Sequence, residues 1–204
     1  MKELIEILKK DIVISLEDGI KILGNDKAMY RLVDNGELQK IHPKGLGFFS
    51  LPNIDEGMAH FAIVRKYYPQ CVVSGKTALS LYGLGLDYIN EIDVDISNKM
   101  NLSNKLLNVH RVVDSKINNI IERSFEDKGV PFLVRIYSPE RVLFEAHKYY
   151  KGLDSYFYCI KQYKKMHLNL KSPGTQFDTI LKINKKIGRE IIDLLMVGNS
   201  YESQ

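Results

Sequence analysis

The stretch Asn25-Asp26-Lys27-Ala28-Met29-Tyr30-Arg31-Leu32-Val33-Asp34-Asn35-Gly36-Glu37-Leu38-Gln39-Lys40-Ile41-His42 decides how the chain is read. Asn25 is a favoured N-cap type, and Met29, Leu32 and Val33 recur at helical spacing. Asn35-Gly36 supplies the stop. One face of the helix is therefore buried, and Lys27, Tyr30, Arg31 and Asp34 point outward. After Gly36 the apolar period drops to two, so residues 37–42 predict a half-buried strand. Pro43-Lys44-Gly45-Leu46-Gly47 reads as a turn, and Phe48-Phe49-Ser50-Leu51 as the returning strand.

Upstream, Leu4, Ile5, Ile7 and Leu8 form the apolar stripe of a first helix that ends near Asp11-Ile12-Val13-Ile14. Ser15 with Asp18 makes a weak capping box that opens a second helix through Leu23, and Gly24 closes it. Three short helices followed by a hairpin predict a winged helix-turn-helix over residues 1–52. The third helix would enter a major groove with Lys27, Tyr30 and Arg31 near bases or phosphates. Lys40 belongs to the same set, and Lys44 would reach the backbone from the wing tip. A protein-interaction module is the competing reading of the same elements.

Charge qualifies this picture. Residues 1–55 hold 8 basic and 9 acidic side chains, so the N-terminal part has no net attraction for a polyanion. The formal charge of +4 comes from elsewhere: Lys148 to Arg189 contains 10 Lys/Arg against 2 acids. Lys161, Lys164, Lys165, Lys171, Lys182, Lys185, Lys186 and Arg189 are thus expected to form a basic C-terminal surface, interleaved with Tyr156, Tyr158, Tyr163 and Phe177. Hydrophobic content of 45% with 26% charged residues excludes extensive disorder. Cys71 and Cys159 lie in apolar or aromatic stretches and read as reduced core cysteines. The N-terminus lacks a signal-peptide pattern, and no segment approaches the roughly eighteen apolar residues of a membrane span. A cytoplasmic protein without membrane attachment is the expectation.

Three blocks carry a family resemblance: Tyr30 to Ile41; Ser74-Gly75-Lys76-Thr77-Ala78-Leu79-Ser80-Leu81-Tyr82-Gly83-Leu84; and Ser138-Pro139-Glu140-Arg141-Val142-Leu143. In order and spacing they resemble the AbiEi antitoxins. The resemblance implies a winged helix joined to a C-terminal antitoxin domain, repression of its own operon through double-stranded operator DNA, and a type IV antitoxin role in abortive infection. It further implies a nucleotidyltransferase toxin, AbiEii, countered without a stable complex.

Several constellations could carry chemistry. Gly75-Lys76-Thr77 matches the end of a P-loop, but the required earlier glycine is replaced by Gln70. A strand-turn-helix with Ser74 as cap and Ala78 packed closely is preferred. Asp93 and Asp95 lie two apart on a predicted strand and share a face, as Mg²⁺-holding carboxylates of a nucleotidyltransferase would. The later strand Val130 to Tyr137 offers no third carboxylate. The plain reading puts both aspartates on the solvent face of that strand, with Ile92, Val94 and Ile96 in the core. His42, His60, His110, His147 and His167 show no metal-ligand spacing, and there is no Gly-x-Ser-x-Gly elbow. Ser138-Pro139-Glu140 is a helix start, and the resemblance implies that this helix opens the C-terminal bundle with Leu143, Phe144 and His147 on its inner face.

The fold expected is α+β: a winged helix at 1–52, a linker over Pro52-Asn53-Ile54-Asp55-Glu56-Gly57, and a mixed α/β domain over 58–204 ending in a helical bundle. The function expected is a DNA-binding autorepressor and antitoxin without cofactor, metal or catalytic residues. A Mg²⁺-dependent nucleotidyltransferase using Asp93 and Asp95 is the alternative.

Overall fold

The capping chemistry of the N-terminal residues is realised in the computed structural model, which describes residues 1–41, 47–85, 91–127 and 130–197. Helix α1 (Lys2–Asp11) is followed by strand β1 (Val13–Ser15). The Ser15 hydroxyl accepts from the Asp18 N–H to open α2 (Leu16–Leu23), and Gly24 closes it at φ 85°. Asn25 accepts from the Ala28 N–H to open α3 (Asp26–Asp34). Strands β2 (Gln39–Lys40) and β3 (Phe48–Ser50) follow. The β-branched run after α1 thus does more than end a helix: β1 pairs antiparallel with β3, giving a three-stranded sheet in the order β1-β3-β2. Leu4, Leu8, Ile14, Met29, Leu32, Leu38 and Phe49 form the core of this part.

The mixed α+β class is plain from the remaining elements. Asp55 caps α4 (Glu56–Tyr67) through the N–H groups of Gly57 and Met58, so this helix begins inside the expected linker. Then come β4 (Val72–Val73), α5 (Gly75–Leu81), β5 (Ile92–Ser97), β6 (Leu107–Val112), β7 (Ile120–Asp127) and β8 (Val130–Tyr137). They form a five-stranded sheet in the order β6-β5-β4-β8-β7, with β5 parallel to β6, β4 antiparallel to β5, and β4 parallel to β8. Helices α6 (Pro139–Tyr150), α7 (Asp154–Met166), α8 (Gly174–Ile183) and α9 (Lys185–Val197) complete the described chain.

Ser138 caps α6 as its sequence predicts, accepting from the Arg141 N–H with Pro139 in the first turn. Leu143 and Phe144 are buried and His147 is half-buried. Helix α6 packs on α5, α7 and α8, while α9 packs on α7 and α8. A Cβ at Gly188 would stand 2.9 Å from the Ile180 carbonyl oxygen, so glycine is what lets α9 approach α8. Among the described residues no helix is long and apolar enough to cross a membrane.

Two compact units result. The first comprises Met1–Cys71, Ser103–Leu106 and Glu122–Arg135; the second comprises Val72–Leu102, Leu107–Ile121 and Ile136–Gln204. Helix α4, which follows the expected linker in sequence, is grouped with the N-terminal helices.

Candidate nucleic-acid interface

In the first unit the third helix presents the residues that its spacing assigns outward. Lys27 and Arg31 are exposed, and neither has an ion-pair partner among the described residues. Tyr30, 38% exposed, is held edge-on against Phe49 of β3 with ring centroids 5.9 Å apart. The Lys40 ammonium lies 5.5 Å from the Tyr30 ring centre, so β2 and α3 bring Lys40 and Tyr30 together. Lys44 lies outside the described residues. A rigid aromatic flanked by unneutralised cations can stack on, or bond to, a nucleic acid backbone or base edge at small entropic cost.

Elsewhere in this unit, Asp18 binds α2 to α4. Its carboxylate accepts from the hydroxyls of Ser15 (2.9 Å) and Tyr67 (3.0 Å), and Tyr67 in turn accepts from the Ser15 N–H (2.7 Å). Partial burial pushes the Asp18 carboxyl up, but the bonds from Ser15, Lys21 and Tyr67 outweigh it and hold the group below the ordinary aspartate range.

In the second unit the aspartate pair corrects the expectation of a solvent face. Asp93 and Asp95 are only 8% and 6% exposed, and Ile92, Val94 and Ile96 are buried as well. The reason is position: β5 is interior to its sheet and covered on both faces, so period-two alternation does not separate core from solvent. Asp93 accepts from the N–H groups of Lys76 (2.9 Å) and Thr77 (3.3 Å), and from the Asn108 amide (2.7 Å). The His110 ring lies 3.3 Å away. Asp95 accepts from the Ser74 hydroxyl (2.7 Å) and the Tyr137 phenol (2.8 Å). Burial, then the neighbouring Asp95 charge, pushes the Tyr137 phenol well above its usual range, so it remains a donor.

Asp93, not Ser74, therefore caps α5; the Ser74 side chain makes no cap bond because it is turned to Asp95. Gly75 is required here. Its φ is +55°, and a Cβ would stand 2.8 Å from the Asp93 carboxylate. The glycine that suggested phosphate binding thus makes room for a protein carboxylate.

Asn108, His110, Thr77 and Tyr137 were not legible as partners of this pair. The usable signal was the polar alternation Asn108-Val109-His110 on β6, which the parallel register sets beside Asp93 and Asp95. Glu145, buried on α6 and bonded to Arg141 at 2.8 Å, is a further buried carboxylate that no motif marked. No group of three or more His, Cys, Asp or Glu side chains among the described residues is placed to share a metal ion.

The cations of the C-terminal set differ in exposure at one position only. Lys161 and Lys165 on α7, Lys182 on α8, Lys185, Lys186 and Arg189 on α9, and Lys171 between α7 and α8 are all exposed. Lys164 is the exception. Its ammonium is buried without a hydrogen-bond partner among the described residues, because helical rotation carries it to the margin of the packed face of α7. Tyr156 and Tyr163, expected between these cations, are core residues. Burial pushes the Tyr156 phenol up to about 12 and Cys71 up to about 11, leaving that thiol inert at neutral pH. No protein-family model matches the chain, and no curated protein matches it.

Proposed function

We propose that this chain is a DNA-binding regulator whose first fifty residues act as a winged helix and which serves as the autorepressing antitoxin of a type IV system. The observation that carries the DNA-binding part is the outward face of α3: Lys27 and Arg31 without ion-pair partners beside Tyr30, with Lys40 stacked against that ring. The antiparallel β2–β3 pair after α3 supplies the elements of a wing, and the three short helices share one core with it: Leu8 of α1, Met29 and Leu32 of α3 and Phe49 of β3, with Leu16, Ile22 and Leu23 of α2 partly buried against them. The exposed cations of α7, α8 and α9 provide the phosphate attraction that the near-neutral N-terminal residues lack. The antitoxin part rests on the resemblance of the Tyr30, Ser74 and Ser138 blocks to AbiEi proteins.

The alternative, a nucleotidyltransferase acting through Asp93 and Asp95, draws less support. Their carboxylates already accept from backbone and side-chain donors, as structural carboxylates do.

Binding of the full chain to duplex DNA from upstream of its own gene tests the proposal, with fluorescence anisotropy as the readout. Lys27→Ala and Arg31→Ala are each expected to weaken binding roughly ten-fold and to erode discrimination against unrelated duplex. Reversing Lys161, Lys165, Lys185 and Lys186 to Glu is expected to flatten the salt dependence. Unchanged affinity in the α3 variants sinks the DNA reading.

A further inference from the structure

We propose that a cleft within the first unit binds a small aromatic anion, a flat apolar body carrying one carboxylate or sulfonate. The cleft has a volume of about 540 Å³ and is lined by the end of α1, one side of α4, Glu122 and Ser124 of β7, and Pro131, Phe132 and Leu133 of β8. That size falls within the roughly 300–1,000 Å³ of small-molecule sites.

Three features define its chemistry. Part of its lining is apolar, with Ile12, Ala62 and Phe132; behind it, Phe132 stacks on Phe61 with centroids 5.6 Å apart and neighbours Phe125 at 6.0 Å. Its charge is one-sided. Lys66 is neutralised by Asp11 at 2.8 Å and also donates to the Val13 carbonyl, whereas Lys10 and Arg65 line the cleft with no carboxylate partner among the described residues. Glu122 is the one acid left to oppose them. Two cations lining a cleft that also presents the Phe132 ring select an anion with a planar apolar body; an inorganic anion would leave the apolar lining uncovered.

The third feature is strain. Ile12, a β-branched residue lining the cleft, has φ 70° and ψ −41°. Its N–H is held by the Leu8 carbonyl at 2.9 Å, and the next residue is fixed by pairing of Val13 with Ser50. Backbone in so sparse a region persists only where its surroundings impose it, and such residues gather at ligand sites. The inference is independent of the DNA-binding reading.

The test is titration of the full chain with 8-anilinonaphthalene-1-sulfonate, followed by its fluorescence. One site per chain is expected, with the double variant Lys10→Glu/Arg65→Glu weakening affinity by at least about ten-fold, the scale of lost charge-assisted contacts. N-phenyl-1-naphthylamine, the same body without the sulfonate, is expected to bind wild type and variant alike. Equal sulfonate affinity in the two proteins overturns the proposal, as does an equal loss of the neutral probe, which would place the effect in the apolar lining and not in the charges. Should the double variant not fold, Lys10→Gln/Arg65→Gln takes its place, with the same ordering of the two probes expected; equal affinities again overturn it.

Discussion

The outward face of α3 and the inward face of β5 both carry polar side chains at regular spacing, yet the two regions use them oppositely. On α3, Lys27 and Arg31 have no ion-pair partner among the described residues, and Tyr30 is steadied from below by Phe49. On β5, Asp93 and Asp95 are buried and their oxygens are engaged by donors from Ser74 at the start of α5, from α5 itself, and from β6 and β8. Polar groups engaged inside a unit hold it together, whereas polar groups left to solvent are free for a partner. A motif therefore acquires its meaning from where its hydrogen-bonding capacity is directed.

Removing the inward carboxylates is the strongest way to break this contrast. Asp95→Ala would strand the buried Ser74 and Tyr137 hydroxyls and is expected to cost about 3 kcal/mol or more in urea unfolding. Asp93→Ala, which uncaps α5, is expected to cost about 2 kcal/mol. A neutral or stabilising effect of both would instead mark them as functional groups held at the expense of stability.

A smaller effect sharpens the comparison from the N-terminal side. Because Asp18 titrates below the ordinary aspartate value of 3.8, its contribution is present above that value and is lost as pH falls through the lower, folded one. The stability gap between wild type and Asp18→Asn, read from urea midpoints, is expected to be open at neutral pH and to close in acid below that window. A gap independent of pH would mean the bonds to Ser15 and Tyr67 do not depend on the charge. The smallest effect belongs to Arg31→Ala, whose exposed side chain is expected to change unfolding free energy by less than about 0.5 kcal/mol while weakening DNA binding. A large loss of stability would place Arg31 in the architecture instead.

What the amino-acid sequence determined by itself is what depends on neighbours a few residues apart. Ser15, Asn25 and Ser138 cap the helices they precede, Gly24 stops α2, and the Val130 to Tyr137 strand forms as its composition predicts. A cap satisfies an N–H two or three positions away, so its chemistry is complete within one turn. Tertiary structure alone decided the rest. The β1 strand exists because β3, more than thirty residues later, pairs with it. Asp93 became the cap of α5 because β5 lies beside β4, and Lys164 was withdrawn from the basic surface by its place on α7. The Asp-x-Asp spacing set the two carboxylates on one face of a strand. Whether that face met water, a metal or the N–H groups of another element depended on which strands flank β5, and alternation along one strand carries no information about its neighbours.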